Sequence, residues 1–208
     1  MHKLKRGAAP TCLSHFHHGR HNWGDVTSDN KNDIWVELTA MQGERCAYCE
    51  VGISQGSRHI EHFRQKGRDP TQTFAWQNLF GSCNNPNTCG KYKDEQGVYP
   101  PAVLIKPDGE DPEYYFHFHS DGTISIRDGL GDVEQNRAKE TLRLFNLRDG
   151  SLRWQRQAAV AGYLQTAEEI AELAAEDAAL AAAYLADELA ETEHLPFATA
   201  IKHALQNI

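Results

Sequence analysis

The sequence has no apolar run of about 18 residues, so it encodes no helix able to span a bilayer. Its opening, MHKLKRGAAPTCL, is basic, but no apolar core of signal-peptide length follows. The expected location is the cytoplasm, away from membranes. Cysteine is scarce, with Cys12, Cys46, Cys49, Cys83 and Cys89 the five present. Without a secretion signal, metal ligation is a stronger reading for them than disulfides. Lys and Arg are absent from Ala158 to Glu193, a stretch that carries nine of the 29 acidic residues. Setting it aside leaves 20 acidic against 21 basic residues, so the net charge of −8 belongs to one segment. It does not veto contact with phosphates elsewhere. At 208 residues, 40% hydrophobic and 24% charged, the chain suits one sizeable core, or a small module plus a second element.

Three regions follow from local composition. Residues 1–42 are an irregular arm, rich in His, Gly, Asn and Asp, ending in a helix from Asn30 to Met41 with Asp33 as its expected cap. Residues 43–101 shift to Cys, Gly, Asn and short apolar runs, which suits a metal-stapled module. Residues 102–208 begin with EYYFHFHSDGTISI, where alternation around Asp121-Gly122 predicts a hairpin with a two-residue turn. His117 and His119 fall opposite Phe116 and Phe118 and are expected to face solvent. The remainder is helical: Val133 to Leu147 with Gly150 as a stop, then Leu152 to about Ala175 and Asp177 to about Glu191. The carboxylates of these last helices are a solvated face or a surface for docking a partner.

Cys46-x2-Cys49 and Cys83-x5-Cys89, 33 residues apart, form two pairs, each on its own turn. Tetrahedral zinc takes four soft ligands from two such knuckles, so a closed structural zinc site is expected. The second knuckle is wider than usual. Between them lies RHIEHFRQKG, with His59, Glu61 and His62 as further candidate ligands or catalytic groups. Four cysteines satisfy zinc without them. The arm's SHFHHGRHNW holds four more histidines, read as polar surface or an adventitious metal site, and Cys12 is left over.

The order CAYC, IEH at 60–62, W-x-NL at 76–79, SC at 82–83 and CGKYKD resembles the HNH endonucleases. IEHFRQK, WQNLFGSC and the KRGAAPTCL arm are similar to the PtuB-like members, effectors of Septu and retron antiphage systems that are encoded beside the ATPase PtuA. The resemblance covers residues 41–100 well and the flanks loosely. It implies an α+β fold: a zinc-stapled ββα-metal module, a hairpin and a mainly helical C-terminal region suited to partner docking. It implies a nucleic-acid substrate, DNA or tRNA, an ATPase partner of PtuA type, structural zinc and catalytic Mg2+ or Mn2+. His62 then maps to the general base, Glu61 to the carboxylate on the catalytic metal, Asn78 to the residue holding the loop of the base, and Lys93 to a phosphate contact, with Arg64 and Lys66 beside it. On a regular strand Glu61 and His62 point to opposite faces, so the strand end is expected to bend.

Two departures stand out. Glu61 replaces the usual Asp, and Gly90 stands where the family has an Asn or His ligand. His59, Asn87 or Asp94 substitutes, or water completes the metal's shell. The competing reading is a non-catalytic zinc-binding adaptor whose helical tail mediates assembly.

Overall fold

A computed structural model describes residues 1–206 of the chain. Its first helix begins at Thr27, whose hydroxyl accepts the Asn30 N–H at 3.3 Å while Asn30 Oδ1 accepts the Thr27 N–H. This reciprocal cap starts α1 (Ser28–Gln42) earlier than Asp33 would have done, and Gly43 ends it with φ +66°. Helix α1 buries Ile34, Leu38 and Met41. At its end Gln42 accepts the Gly81 N–H and donates to the Gly81 carbonyl, both at 2.9 Å, serving one residue of a strand edge as a partner strand would.

That strand is β2 (Leu79–Cys83), antiparallel to β1 (Arg58–His62), with Glu61 opposite Phe80 and His62 opposite Leu79. Both faces of β2 are buried. A loop leads from β2 to α2 (Cys89–Glu95), which packs back on it. The order is strand, strand, helix. Tyr48 and Phe63 each pack on both Phe80 and Phe145, and the Phe145 ring stacks on Tyr48 at 4.1 Å. The main core therefore draws on the arm, the cysteine-bearing segment and the helices alike.

Beyond it, β3 (Phe116–Phe118) pairs with β4 (Ile124–Ile126). The turn is longer than expected. His119 donates to Thr123, and the three residues between include Gly122 at φ +79°. A Cβ at Gly122 would run into the Arg153 carbonyl, so only glycine suits both its backbone and its neighbour. His119 is exposed, but His117 is half-buried and stacks on His203 at 4.8 Å, because a helix beyond the expected ones covers the hairpin.

The tail holds five helices: α3 (Asp132–Leu144), α4 (Gly150–Ala161), α5 (Leu164–Glu176), α6 (Ala178–Thr192) and α7 (Ala198–Gln206). Gly150 starts α4 instead of stopping α3, because the Asp149 carboxylate caps the Ser151 and Leu152 N–H groups. The expected helix from Leu152 breaks at Gly162-Tyr163. Ala167 and Ile170 of α5 then meet Ile201 and Leu205 of α7 in a small second core. Helix α7 is tied to the first knuckle, where Glu50, held at φ +66°, accepts from Thr199 Oγ1 at 2.6 Å and Thr199 N at 3.0 Å. Among the described residues no helix is long and apolar enough to cross a membrane.

Candidate active site and metal centre

The β1–β2–α2 unit presents two clusters, one at each end of its hairpin. At the end carrying Cys83, all four predicted zinc ligands converge. Cys46, Cys49, Cys83 and Cys89 are buried, and their Sγ atoms lie within 4.8 Å of one another. Tetrahedral Zn–S bonds of ~2.3 Å place sulfurs about 3.8 Å apart, so the set is positioned to bind a metal ion and its chemistry suits zinc. Burial pushes the Cys49 and Cys89 thiols up, while hydrogen bonds from the other three hold Cys83 down. The thiols lie close enough to shift one another's protonation, and a metal bound there would displace their protons. Cys12 is buried elsewhere, its Sγ facing the Asn30 carbonyl at 3.6 Å.

At the other end stand Glu61 and His62, 2% and 3% exposed. Their side chains turn apart. His62 faces the loop between the strands, with Nε2 3.1 Å from the Thr73 carbonyl. A carbonyl only accepts, so Nε2 carries the proton and Nδ1 keeps a lone pair. Trp23 of the arm meets the ring edge-on at 4.5 Å, and Phe74 and Phe16 continue that cover. Burial, then the nearby Lys66 charge, depresses the imidazole pKa to about 4, so His62 is neutral near pH 7. Asn78 fixes the loop. Its Oδ1 accepts the Arg64 N–H at 2.7 Å, and its Nδ2 donates to the Arg64 and Gln72 carbonyls at 3.0 Å.

Glu61 instead faces α2. Its Oε1 is 2.8 Å from Lys93 Nζ and its Oε2 is 3.3 Å from His59 Nε2, as the i, i+2 spacing on one strand face allows. Lys93, fully buried, also donates to Asp94 Oδ1 at 2.6 Å and to the His62 carbonyl at 3.2 Å. Burial pushes the Glu61 carboxyl up, but His59 and Lys93 outweigh it and hold it below the usual range. For Lys93 the desolvation cost is likewise outweighed by Glu61 and Asp94, which raise it. Gly90 lies directly beneath the carboxylate, where a Cβ would collide with it. Arg64 and Lys66 are exposed, Arg64 pairing with Asp69 at 3.3 Å. Asn87 is exposed and apart, and the arm's histidines are solvated.

Four participants were not singled out from sequence: Trp23, Thr73, Gln65 and Asp94 in its role beside Lys93. Gln65 is buried and donates to the Lys93 carbonyl at 3.1 Å. The FRQKGRDPTQTF stretch gave no periodic signal for these contacts, which arise only when the loop closes on Asn78.

Two known proteins are similar to this chain in sequence. Over 134 residues, 61% of this chain, the sequence is 28% identical to the "Retron Vc95 putative HNH endonuclease" of Vibrio cholerae serotype O1 biovar El Tor. Over 66 residues, 28% of this chain, it is 32% identical to the Septu protein PtuB of Bacillus thuringiensis. The chain is a relative of the PtuB-like HNH proteins. The matches span 63% of the first protein's length and 26% of the second's. No family model matches the sequence.

The relatives' kind implies a catalytic divalent metal, and the residues at Glu61 do not fit one as they stand. Glu61 Oε2 faces His59, Oε1 lies 2.8 Å from Lys93 Nζ as an ion pair without hydrogen-bond geometry, Gly90 offers no side-chain ligand, and Asp94 already holds Lys93. Among the described residues, the four cysteines are the sole set of three or more His, Cys, Asp or Glu whose ligand atoms converge.

Proposed function

We propose that this chain is an HNH-type endonuclease that cleaves phosphodiester bonds in DNA or tRNA, acting in the cytoplasm as the nuclease of an antiphage complex with an ATPase of PtuA type. The observation that carries the reading is the setting of His62. Asn78 braces the loop that places the Thr73 carbonyl on Nε2–H, and Nδ1 remains unprotonated at neutral pH. In the reaction, water loses a proton to Nδ1 as its oxygen bonds to phosphorus. The bond to the departing oxygen breaks, and that oxygen takes a proton from solvent. Arg64 and Lys66, exposed beside the loop, suit contacts to the nucleic-acid backbone. The similarity to proteins named for Septu and retron systems supports the defence setting.

His62 is covered by Trp23, so the arm must shift for a substrate to reach it. An ATPase partner gripping the arm or the exposed acidic faces of α5 and α6 is a natural agent of that shift. The same burial favours the second reading, a zinc-binding adaptor that cuts nothing. Cleavage of plasmid DNA and of tRNA, with the partner ATPase present, separates them. His62→Ala should lower the rate by about 10²–10⁴-fold while keeping the zinc. Equal cutting by wild type and variant removes His62 from the chemistry.

A further inference from the structure

The place above Gly90 is already filled. The Glu61 carboxylate occupies the room a side chain there would need, and one helical turn later α2 delivers the Lys93 ammonium to it. That ammonium donates to Asp94 Oδ1 at 2.6 Å and to the His62 carbonyl at 3.2 Å, and lies 2.8 Å from Glu61 Oε1 as an ion pair. Two carboxylates and a carbonyl, all hard oxygens, are what a divalent ion would seek, and here an ammonium lies among them. Lys93 has no solvent exposure and Glu61 only 2%, so the pair is shielded from bulk water. Gly90 and Lys93 act together: without a donor at 90 the carboxylate leans over the helix, into reach of the lysine.

We propose that Lys93 is the resident cation of this site, standing in for a divalent metal, so that the chain holds a metal ion at the four cysteines and none at Glu61. Lys93 is a positioning residue. It neutralises Glu61 and, through the His62 carbonyl, pins the end of β1 from which the imidazole projects. The second half of the claim rests on the nuclease reading above: cleavage at His62 proceeds without added Mg2+ or Mn2+.

Titration of the full, zinc-loaded chain with Mn2+, followed by electron paramagnetic resonance, tests it directly. Wild type should show no Glu61-dependent Mn2+ site at millimolar concentration. Lys93→Met, which leaves Glu61 and Asp94 without their amine, should gain Mn2+ affinity at least tenfold. The double variant Glu61→Gln/Lys93→Met, with the buried charges of the pair removed, should fold and lose that gain. Stoichiometric Mn2+ on wild type, abolished by Glu61→Gln, overturns the assignment, as does equal Mn2+ binding by wild type and Lys93→Met. The two readings fail separately. Cleavage that demands Mn2+ sinks the resident cation and leaves the nuclease standing. No cleavage under any condition, with wild type still free of Mn2+ at Glu61, sinks the nuclease and leaves Lys93 in place.

Discussion

The two ends of one hairpin make opposite use of the same elements. Helix α2 supplies Cys89 to one end and Lys93 to the other, and β2 runs from Leu79, opposite His62, to Cys83. At the cysteine end four thiols converge in the electrostatic field of the buried Arg156 guanidinium. At the Glu61 end the carboxylate is already neutralised from within. Donor type decides the difference. Thiolates are soft ligands that favour a metal such as zinc, whereas a carboxylate beside a buried ammonium is neutralised by it. One end is built to be completed from outside; the other is complete and closed.

Breaking the cysteine end should have the largest effect. Structural zinc in small modules contributes about 10–16 kcal/mol, more than the whole stability of most domains. Cys46→Ala, or a strong zinc chelator, should therefore unfold the β1–β2–α2 unit and expose Tyr48 and Phe80. Thermal unfolding by circular dichroism together with the zinc content checks this, and an unchanged melting curve in the metal-free protein would remove the staple. At the other end Lys93→Met should cost about 3–5 kcal/mol, because it strands a buried carboxylate. The double variant with Glu61→Gln should recover most of the loss in urea unfolding. If the single and double variants are equally weak, the pair is not what holds this end.

Acid separates the ends on a smaller scale. His62 titrates at about 4 in the fold against ~6.5 when unfolded, so its depressed pKa works against charging. Above about pH 6.5 the imidazole is neutral in both states and its contribution is fully present. As pH falls through 6.5 toward 4 the unfolded chain takes up the proton first, and up to about 3 kcal/mol is lost. His117, half-buried against His203, shifts the same way and adds a lesser share. Glu61 gives way only below the usual carboxylate range. Across pH 7 to 4 the loss of zinc affinity is common to both proteins, and the urea midpoint of wild type should fall further than that of His62→Gln by the His62 share. Equal slopes would place the acid sensitivity elsewhere.

What the sequence revealed about these ends follows the range of the contacts. The quartet was legible because each knuckle is a local pattern, and the resemblance marks Glu61, His62 and Asn78 one by one, three residues that the fold gathers at the other end of the hairpin. The strand alternation correctly separates Glu61 from His62, and the expected bend that would bring them together is absent from the fold: one faces α2, the other Trp23. Gly90 was read as a missing ligand, but the reply to it, Lys93 beneath Glu61, depends on how α2 is rotated against β1. No spacing encodes that rotation. In the helical tail, composition gave helices but not their breaks. Thr27 outcompeted Asp33 as a cap by its exchange with Asn30, and α7 covers His117 through packing that only tertiary structure creates.

The smallest effect belongs to the rim of the closed end, and it tests whether that end meets nucleic acid at all. Arg64 is half-exposed and its pair with Asp69 spans 3.3 Å, so in solvent the pair is worth well under 1 kcal/mol. Arg64→Ala should leave the unfolding midpoint nearly unchanged, since the Arg64 backbone, not its side chain, holds Asn78. Its guanidinium is free to exchange Asp69 for a phosphate. Binding of the ATPase-assembled protein to tRNA or DNA should then weaken uniformly across sequences, with the slope of log affinity against log salt reduced by about one. A variant with unchanged salt slope would move the nucleic-acid path away from this loop, and a variant that loses stability instead would make Arg64 a structural residue like its neighbour Gln65.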